Sequence, residues 1–271
     1  MDDIDLYLKE DLKDIGDITS EALFSKEKTN ANIISHDEYI VAGLEEGKKI
    51  FKKLGVKTTL LFNDGDIVLK NTIVAQLNGS AISILKAERL VLNFICKMSG
   101  IATETKKLID KCRKINPKVR IASTRKTTPG FRKYEKKAVQ VGGGELHRTG
   151  LYDAILIKDN HIKIVGSVEK AIKKIKEKTK NKAIEIEVEN IKDAITAAKL
   201  SVDVIMLDNF NPKNAKNTAK TIRKINSNIL IEISGGVNSK NITEYASFAD
   251  RISLGYLTHS IKSADFSLEI I

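Results

Sequence analysis

The stretch AIEIEVENIKDAITAAKLSVDVIMLDN, residues 183–209, holds one complete period of the pattern that decides the fold. Ile184, Ile186 and Val188 alternate with Glu185, Glu187 and Glu189, which is the period of a strand. Asn190 then opens an amphipathic helical run, NIKDAITAAKL, and DVIML follows as a second short apolar strand. A strand, a crossover helix and another strand return the chain to the same sheet end, so the two strands run parallel.

The unit recurs on both sides. VRIAS (119–123), DAILI (153–157), AIEIEV (183–188), DVIML (203–207), ILIEIS (229–234) and DRISL (250–254) are the strand candidates. Between them lie helical runs such as SVEKAIKKIKEK and NPKNAKNTAKTIRKI. Each strand ends in polar or glycine chemistry. Arg125 and Lys126 follow the first, Lys158 and Asp159 the second, and Glu187 and Glu189 close the third. Asp208 and Asn209 follow the fourth, Ser234, Gly235 and Gly236 the fifth, and Gly255 the sixth. A doubly wound sheet concentrates its site at one switch point, whereas a barrel gathers all its strand ends in a ring. The pattern predicts an α/β barrel that is incomplete, with six or seven strands instead of eight.

Upstream the texture changes. ANIISHDEYIVAG, KTTLLFNDGDIVL and NTIVAQLNG read as strands punctuated by Asp-Gly and Asn-Gly turns, with one helix, LEEGKKIFKKLG, capped by Gly55. A long helical stretch, residues 87–116, leads into the barrel pattern. This first half reads as α+β, with the change of texture near residue 100.

The 271 residues carry 42% hydrophobic and 30% charged side chains, a globular composition. The acidic opening MDDIDLYLKEDLKDIGD lacks a basic, then apolar, leader. No apolar run reaches the roughly 20 residues of a membrane span. Two cysteines form no CxxC pair, which suits a reduced compartment, and a cytoplasmic location is expected. The net charge of +11 fits lysine-rich helix faces or an anionic partner. Aromatics are only 5%, and no nucleic-acid-binding signature occurs, so small anionic substrates are preferred to RNA or DNA.

Arg125, Lys126, His147, Arg148 and Lys158 fall within 34 residues on strand ends and the segment between them. Guanidinium forks match carboxylate and phosphate, and ammonium groups act as point charges. Such a ring suits a substrate with several negative charges. In VGGGELHRTG (141–150), three glycines permit close approach of a ligand and free amides for an oxyanion. The Ser-Gly-Gly at 234–236 is a second loop suited to phosphate. Glu187, Glu189 and Asp208, from adjacent strand ends, can hold magnesium through hard oxygens, or accept from ribose hydroxyls. None of the histidines, His36, His147, His161 and His259, shows metal-ligand spacing, and HExxH and GxSxG are absent.

TRKTTPGFR, GGGELHRTGLYDAILIKDNHI, EIEVEN, DVIMLDN, EISGGV and RISLGYLTHS occur in order over residues 124–260. Together with DLKDIGDITSEAL and ERLVLNFICKMSGIAT, they resemble the quinolinate phosphoribosyltransferase family over nearly the whole chain. The resemblance implies an N-terminal α+β sandwich domain over residues 1–104 and a barrel over 105–271, with the C-terminal tail free to return to the first domain. It implies dimers, or higher homo-oligomers, with sites between subunits. It also implies a reaction joining quinolinate to 5-phosphoribosyl 1-pyrophosphate, releasing carbon dioxide and pyrophosphate, with Mg2+ carried by the substrate. By the same resemblance, Thr124, Arg125, His147 and Arg148 would hold quinolinate, and Lys126 and Lys158 would serve both substrates. Glu187 and Asp208 would face ribose and magnesium, and Lys126, Lys158, Glu187 and Asp208 would be catalytic. Ser234, Gly235, Gly236 and Gly255 would seat phosphate beside His259. Arg89 would reach into a partner's site. The alternatives are a scaffold relative, such as a molybdenum-transport-associated homologue or a nicotinate phosphoribosyltransferase, and a non-catalytic nucleic-acid-binding protein.

Overall fold

A computed structural model describes residues 3–179 and 182–271. Helices α1 (Asp3–Leu12) and α2 (Ile18–Leu23) precede strands β1 (Lys28–Ser35) and β2 (Tyr39–Ile40). Helix α3 (Leu44–Lys53), strands β3 (Lys57–Leu60), β4 (Ile67–Val68) and β5 (Thr72–Ser80), and helix α4 (Ala81–Arg113) follow. Next come β6 (Arg120–Ala122), α5 (Arg132–Val141), β7 (Ile155–Ile157), α6 (Asp159–Val165) and α7 (Val168–Lys178). Strand and helix then alternate through β8 (Ile184–Val188), α8 (Ile191–Lys199), β9 (Val204–Asp208), α9 (Pro212–Ile225) and β10 (Leu230–Ser234). The chain ends with α10 (Ile242–Ala246), β11 (Arg251–Ser253), α11 (Tyr256–His259) and β12 (Phe266–Ile270).

These elements form two compact units. The first runs to Lys106 and also takes Lys133–Gly143 and Ile261–Ile271; the second is Lys107–Arg132 with Gly144–Ser260. The first unit is built on an antiparallel sheet in the order β12-β1-β5-β3, so the C-terminal strand lies beside β1. Helix α5, although flanked in sequence by barrel strands, packs in this unit, where Tyr134 meets Phe94 edge-to-face at 4.8 Å.

Two expectations change here. The Asn78-Gly79 pair is not a turn, because β5 runs through it and Gly79 lets the backbone of Val56 come close. In the glycine run at 142–144, Gly142 and Gly143 have structural reasons of their own. A Cβ on Gly142 would stand 2.4 Å from the carbonyl oxygen of Ala102, and Gly143 (φ +87) turns the chain after α5. Helix packing and a helix end explain these glycines.

In the second unit, six parallel strands follow the order β6-β11-β10-β9-β8-β7. Apart from β6, each strand lies beside the next in sequence, so the sheet winds in one sense and curls. Its two end strands are β6 and β7, with a single bridge, Ala122 to Glu145, beside β6. This is the incomplete barrel, with six strands. The crossover helices start where their caps dictate. Ser167, Asn190 and Asn211 each accept a backbone N–H at the start of α7, α8 and α9, and Pro212 occupies the first turn of α9.

Strand alternation divides the barrel's two faces. Ile186, Ile205, Ile231, Ile233 and Ile252 are fully buried. The alternate residues pair across the sheet in one line, Arg120 to Arg251 to Glu232 to Met206 to Glu187. A barrel interior lined with charges is stable only if they neutralise one another.

Candidate active site

A cavity of about 630 Å³ opens at the carboxyl ends of the six strands. Thr124, Arg125 and Lys126 enter it from the end of β6, and His147 and Arg148 from the segment before β7. Lys158 follows β7, Glu187 lies near the end of β8, and Asp208 ends β9. Ser234, Gly235 and Gly236 follow β10, while Gly255 and His259 follow β11. Residues spread over 136 positions of the chain thus share one wall. Arg89 stands apart: it is exposed on α4, in the first unit. Glu189 is exposed and does not line the cavity.

The Nε of Arg125 is buried and has no hydrogen-bond partner among the described residues, a donor suited to an anion. The Arg148 guanidinium is held below its ordinary proton affinity, first by burial and then by the charge of Arg125. A shared anion would relieve that repulsion. Lys126 takes a bond from the Thr258 hydroxyl to its carbonyl at 2.6 Å, and its side chain passes Gly255, where a Cβ would stand 2.8 Å from Lys126 Cδ. Arg132 is not a free cation but a staple. It donates to Thr127 Oγ1 at 2.9 Å and to the Thr149 carbonyl at 3.2 Å, joining the loops that carry Lys126 and Arg148.

The carboxylates share the same cavity. Glu187 is ion-paired with Lys158. Burial raises the pKa of Asp208, as does the neighbouring Glu187 charge, with partial relief from Lys158 and Lys126. Asn209, in the left-handed region (φ +56), donates from its side chain to Asp208 at 2.6 Å. Gly235 and Gly236 have φ of +75° and +65°, and a Cβ on Gly235 would stand 2.4 Å from Asn209 Oδ1 and 2.6 Å from Asp208 Oδ1. Only glycine combines that backbone with that proximity. One cavity thus holds two neighbouring guanidiniums, Arg125 and Arg148, together with the carboxylates of Glu187 and Asp208, and Asp208 lies beside a glycine turn.

A family model described as quinolinate phosphoribosyl transferase, C-terminal domain, matches residues 101–269, and its N-terminal counterpart matches residues 17–99. The chain belongs to the quinolinate phosphoribosyl transferase family. Among relatives, the probable nicotinate-nucleotide pyrophosphorylase [carboxylating] of Archaeoglobus fulgidus is 42% identical over 94% of this chain and 98% of its own. The protein of the same description from Bacillus subtilis is 40% identical, over 96% and 90% of the two chains. The crystal structure of nicotinate-nucleotide pyrophosphorylase from Ehrlichia chaffeensis superposes with a TM-score of 0.94 at 38% identity, covering 99% of this chain and 97% of that one.

Next to these cations lies a cluster that sequence spacing does not reveal. His147 Nε2 is 3.2 Å from Glu185 Oε1 and 3.3 Å from Glu232 Oε1. Arg251 spans the same two glutamates, at 3.2 Å from Glu185 and in a close pair with Glu232. His147, Glu185 and Glu232 have the mutual distances of a metal site, but Arg251 already fills the cationic role between the carboxylates. The cluster is read as an ion-pair network. Burial alone would lower the pKa of His147, yet hydrogen bonds and charges from Glu185 and Glu232 outweigh it and raise the value to about 9. His147 also sits in the left-handed region (φ +51), a conformation costing about 1–3 kcal/mol, so its surroundings must hold it.

Leu156, Met206, Ser253 and Tyr256 also line the cavity. Leu156 and Met206 look like ordinary core in a strand, and only the register places Met206 in line with Glu187 and Glu232.

Proposed function

We propose that this chain transfers the phosphoribosyl group of 5-phosphoribosyl 1-pyrophosphate to quinolinate with decarboxylation. The products are nicotinate mononucleotide, pyrophosphate and carbon dioxide, a step of de novo NAD biosynthesis. The observation that carries this reading is a single cavity that holds a pair of neighbouring guanidiniums together with two carboxylates and a glycine turn. A planar dicarboxylate fits the first and a phosphorylated sugar the second.

Both substrates are polyanions, and their approach in water is repulsive. Arg125, Lys126, Arg148 and Lys158 against Glu187 and Asp208 leave the wall with 4 − 2 = 2 excess positive charges before His147 is counted, which offsets that repulsion. Arg125 and Arg148 orient the ring so that its nitrogen faces the anomeric carbon. As the bond to pyrophosphate breaks, the leaving group takes the electron pair and the ribose becomes oxocarbenium-like. Glu187 and Asp208 stabilise that positive charge. The pyridine nitrogen donates its lone pair to the anomeric carbon, and the ring becomes a pyridinium. Carbon dioxide then leaves from carbon 2, the bonding pair stays on that carbon next to the cationic nitrogen, and a proton replaces it. Catalysis is positioning and electrostatics, with no covalent enzyme intermediate.

Glu187 and Asp208 fit a magnesium ion that brings phosphate and water as its other ligands: both are hard oxygen donors, and the strain Glu187 places on Asp208 is what a divalent cation relieves. Bound there, the ion would neutralise the departing pyrophosphate. We further propose that Arg89 reaches the site of a second copy in a homodimer or higher homo-oligomer, and that the enzyme is cytoplasmic. Among the described residues, no helix is long and apolar enough to cross a membrane.

The test is chromatography of reactions containing quinolinate, 5-phosphoribosyl 1-pyrophosphate and magnesium. Nicotinate mononucleotide should form only with both substrates present. Product from nicotinate but not from quinolinate would replace this reading with a nicotinate phosphoribosyltransferase. Tight, salt-sensitive RNA or DNA binding with no turnover would favour the non-catalytic alternative.

A further inference from the structure

His147 lines the acid-binding side of the cavity, yet neither of its ring nitrogens is free for a ligand. Nε2 faces Glu185 and Glu232, and Nδ1 receives the backbone N–H of Arg148 at 2.8 Å. An imidazole has two hydrogen-bonding positions, and here the chain itself occupies both. A carboxylate bonded to this ring would have to break one of them.

The glutamates are themselves fixed. Glu232 is 0% exposed and Glu185 7%. Arg251 bridges them, then continues to Glu145 at 3.9 Å, which Arg120 holds at 3.1 Å. Because Nδ1 accepts from Arg148, the ring's proton sits on Nε2 and points at the two glutamates. The two arginines offset most of the charge of the three glutamates, which lets them persist inside a barrel.

The neighbouring chain shows what the anchored ring accomplishes. Arg148 is the next residue, and its N–H is the group that Nδ1 holds. On its other side, Asp153 accepts from the Thr149 N–H at 2.6 Å and the Thr149 hydroxyl at 2.5 Å. Arg148 is clamped from both directions, and the His147 half of the clamp ends on Glu185, its hydrogen-bond partner, and on the buried Glu232 Oε1 3.3 Å away.

We propose that Glu232 is a positioning residue for the acid-binding pocket: with Glu185 and Arg251 it anchors the His147 ring, and the anchored ring fixes the backbone from which Arg148 reaches the substrate. His147 thereby serves the acid through Arg148. This inference rests on the function proposed above, and its test separates the two.

The perturbation is Glu232→Gln in the full-length enzyme, which keeps the shape and removes the charge. Steady-state kinetics should show the KM for quinolinate rising tenfold or more, with the KM for 5-phosphoribosyl 1-pyrophosphate changed less than twofold. Glu232→Asp should recover part of the loss. A merely structural residue would lower the melting temperature and the active fraction without that selectivity. Glu185→Gln serves the same comparison if Glu232→Gln does not fold.

A second readout does not need turnover. Nitrogen-15 NMR of histidine-labelled protein should show a proton on Nε2 of His147. Its titration midpoint should fall by a pH unit or more in Glu232→Gln, because Glu185, Glu232, Arg251 and Arg148 are the charged groups that face the ring. Adding quinolinate should leave the Nε2 proton in place. An unchanged midpoint, an equal rise in both KM values, or a ring that changes its hydrogen-bonding state on addition of quinolinate would overturn the proposal. If wild type binds no quinolinate, the functional reading fails, while the NMR midpoint still decides whether Glu232 anchors the ring.

Discussion

Replacing Gly235 by alanine tests whether the glycine turn sets the position of Asp208. Gly235 and Gly236 are both left-handed, so alanine at either costs about 1–2 kcal/mol of backbone energy. The sites differ in what the new methyl meets. At Gly236 it meets nothing within 4 Å, whereas at Gly235 it would stand 2.4 Å from Asn209 Oδ1 and 2.6 Å from Asp208 Oδ1. Since real Cβ contacts essentially never fall below 3.0 Å, Asn209 and Asp208 must retreat by about 0.6 Å and 0.4 Å respectively. A misplacement near 1 Å can cost about 100-fold in rate, so a loss of about 10- to 100-fold in kcat is expected for Gly235→Ala. Gly236→Ala, whose methyl displaces neither group, should lose less kcat than Gly235→Ala, with about 2–4 °C in melting temperature lost per kcal/mol. The assay is parallel thermal unfolding and steady-state kinetics of both variants. Equal kinetic losses, or a Gly235→Ala enzyme of normal kcat, would refute the argument that this glycine exists to admit Asp208 and Asn209.

Three further outcomes follow from the same geometry. Arg125→Lys and Arg148→Lys should raise the KM for quinolinate about as much as the alanine variants do, because an ammonium cannot make a bidentate fork; near-normal kinetics for Arg148→Lys would show that charge alone suffices. The raised pKa of His147 stabilises the fold fully below the ordinary histidine value of about 6.5, and that contribution is lost as pH climbs through about 9. It amounts to at most about 3 kcal/mol, so the melting temperature should fall between pH 7 and 10, and the fall should be smaller in Glu232→Gln; identical curves would contradict the assignment. Removing magnesium with EDTA should abolish turnover while leaving quinolinate binding measurable by calorimetry, and turnover that survives EDTA would remove magnesium from the scheme.

The barrel was legible because its signals are local. Five-residue apolar strands, helix-opening asparagine and serine residues, and polar strand ends each declare themselves within a few positions. The ring of cations and carboxylates followed, since parallel strands must deliver their carboxyl ends to one side. What escaped depends on contacts between distant positions. Glu232 reads locally as an isolated acid in a strand, and only the barrel interior brings it to His147, 85 residues earlier, and to Arg251. Gly142 looks like part of a ligand loop until the carbonyl of Ala102 is seen against it. Arg132 resembles a free cation in sequence, and its bonds to Thr127 and Thr149 reveal a tie between two loops.

The most direct test of the account uses quinolinate carrying carbon-14 in its 2-carboxyl group. Labelled carbon dioxide should be released only when 5-phosphoribosyl 1-pyrophosphate is present, mole for mole with nicotinate mononucleotide, and Arg148→Ala should suppress both together. Release without the phosphoribosyl donor, or nucleotide formation that leaves the label on the ring, would contradict the claim that this cavity brings the two acids together for ribosylation and decarboxylation.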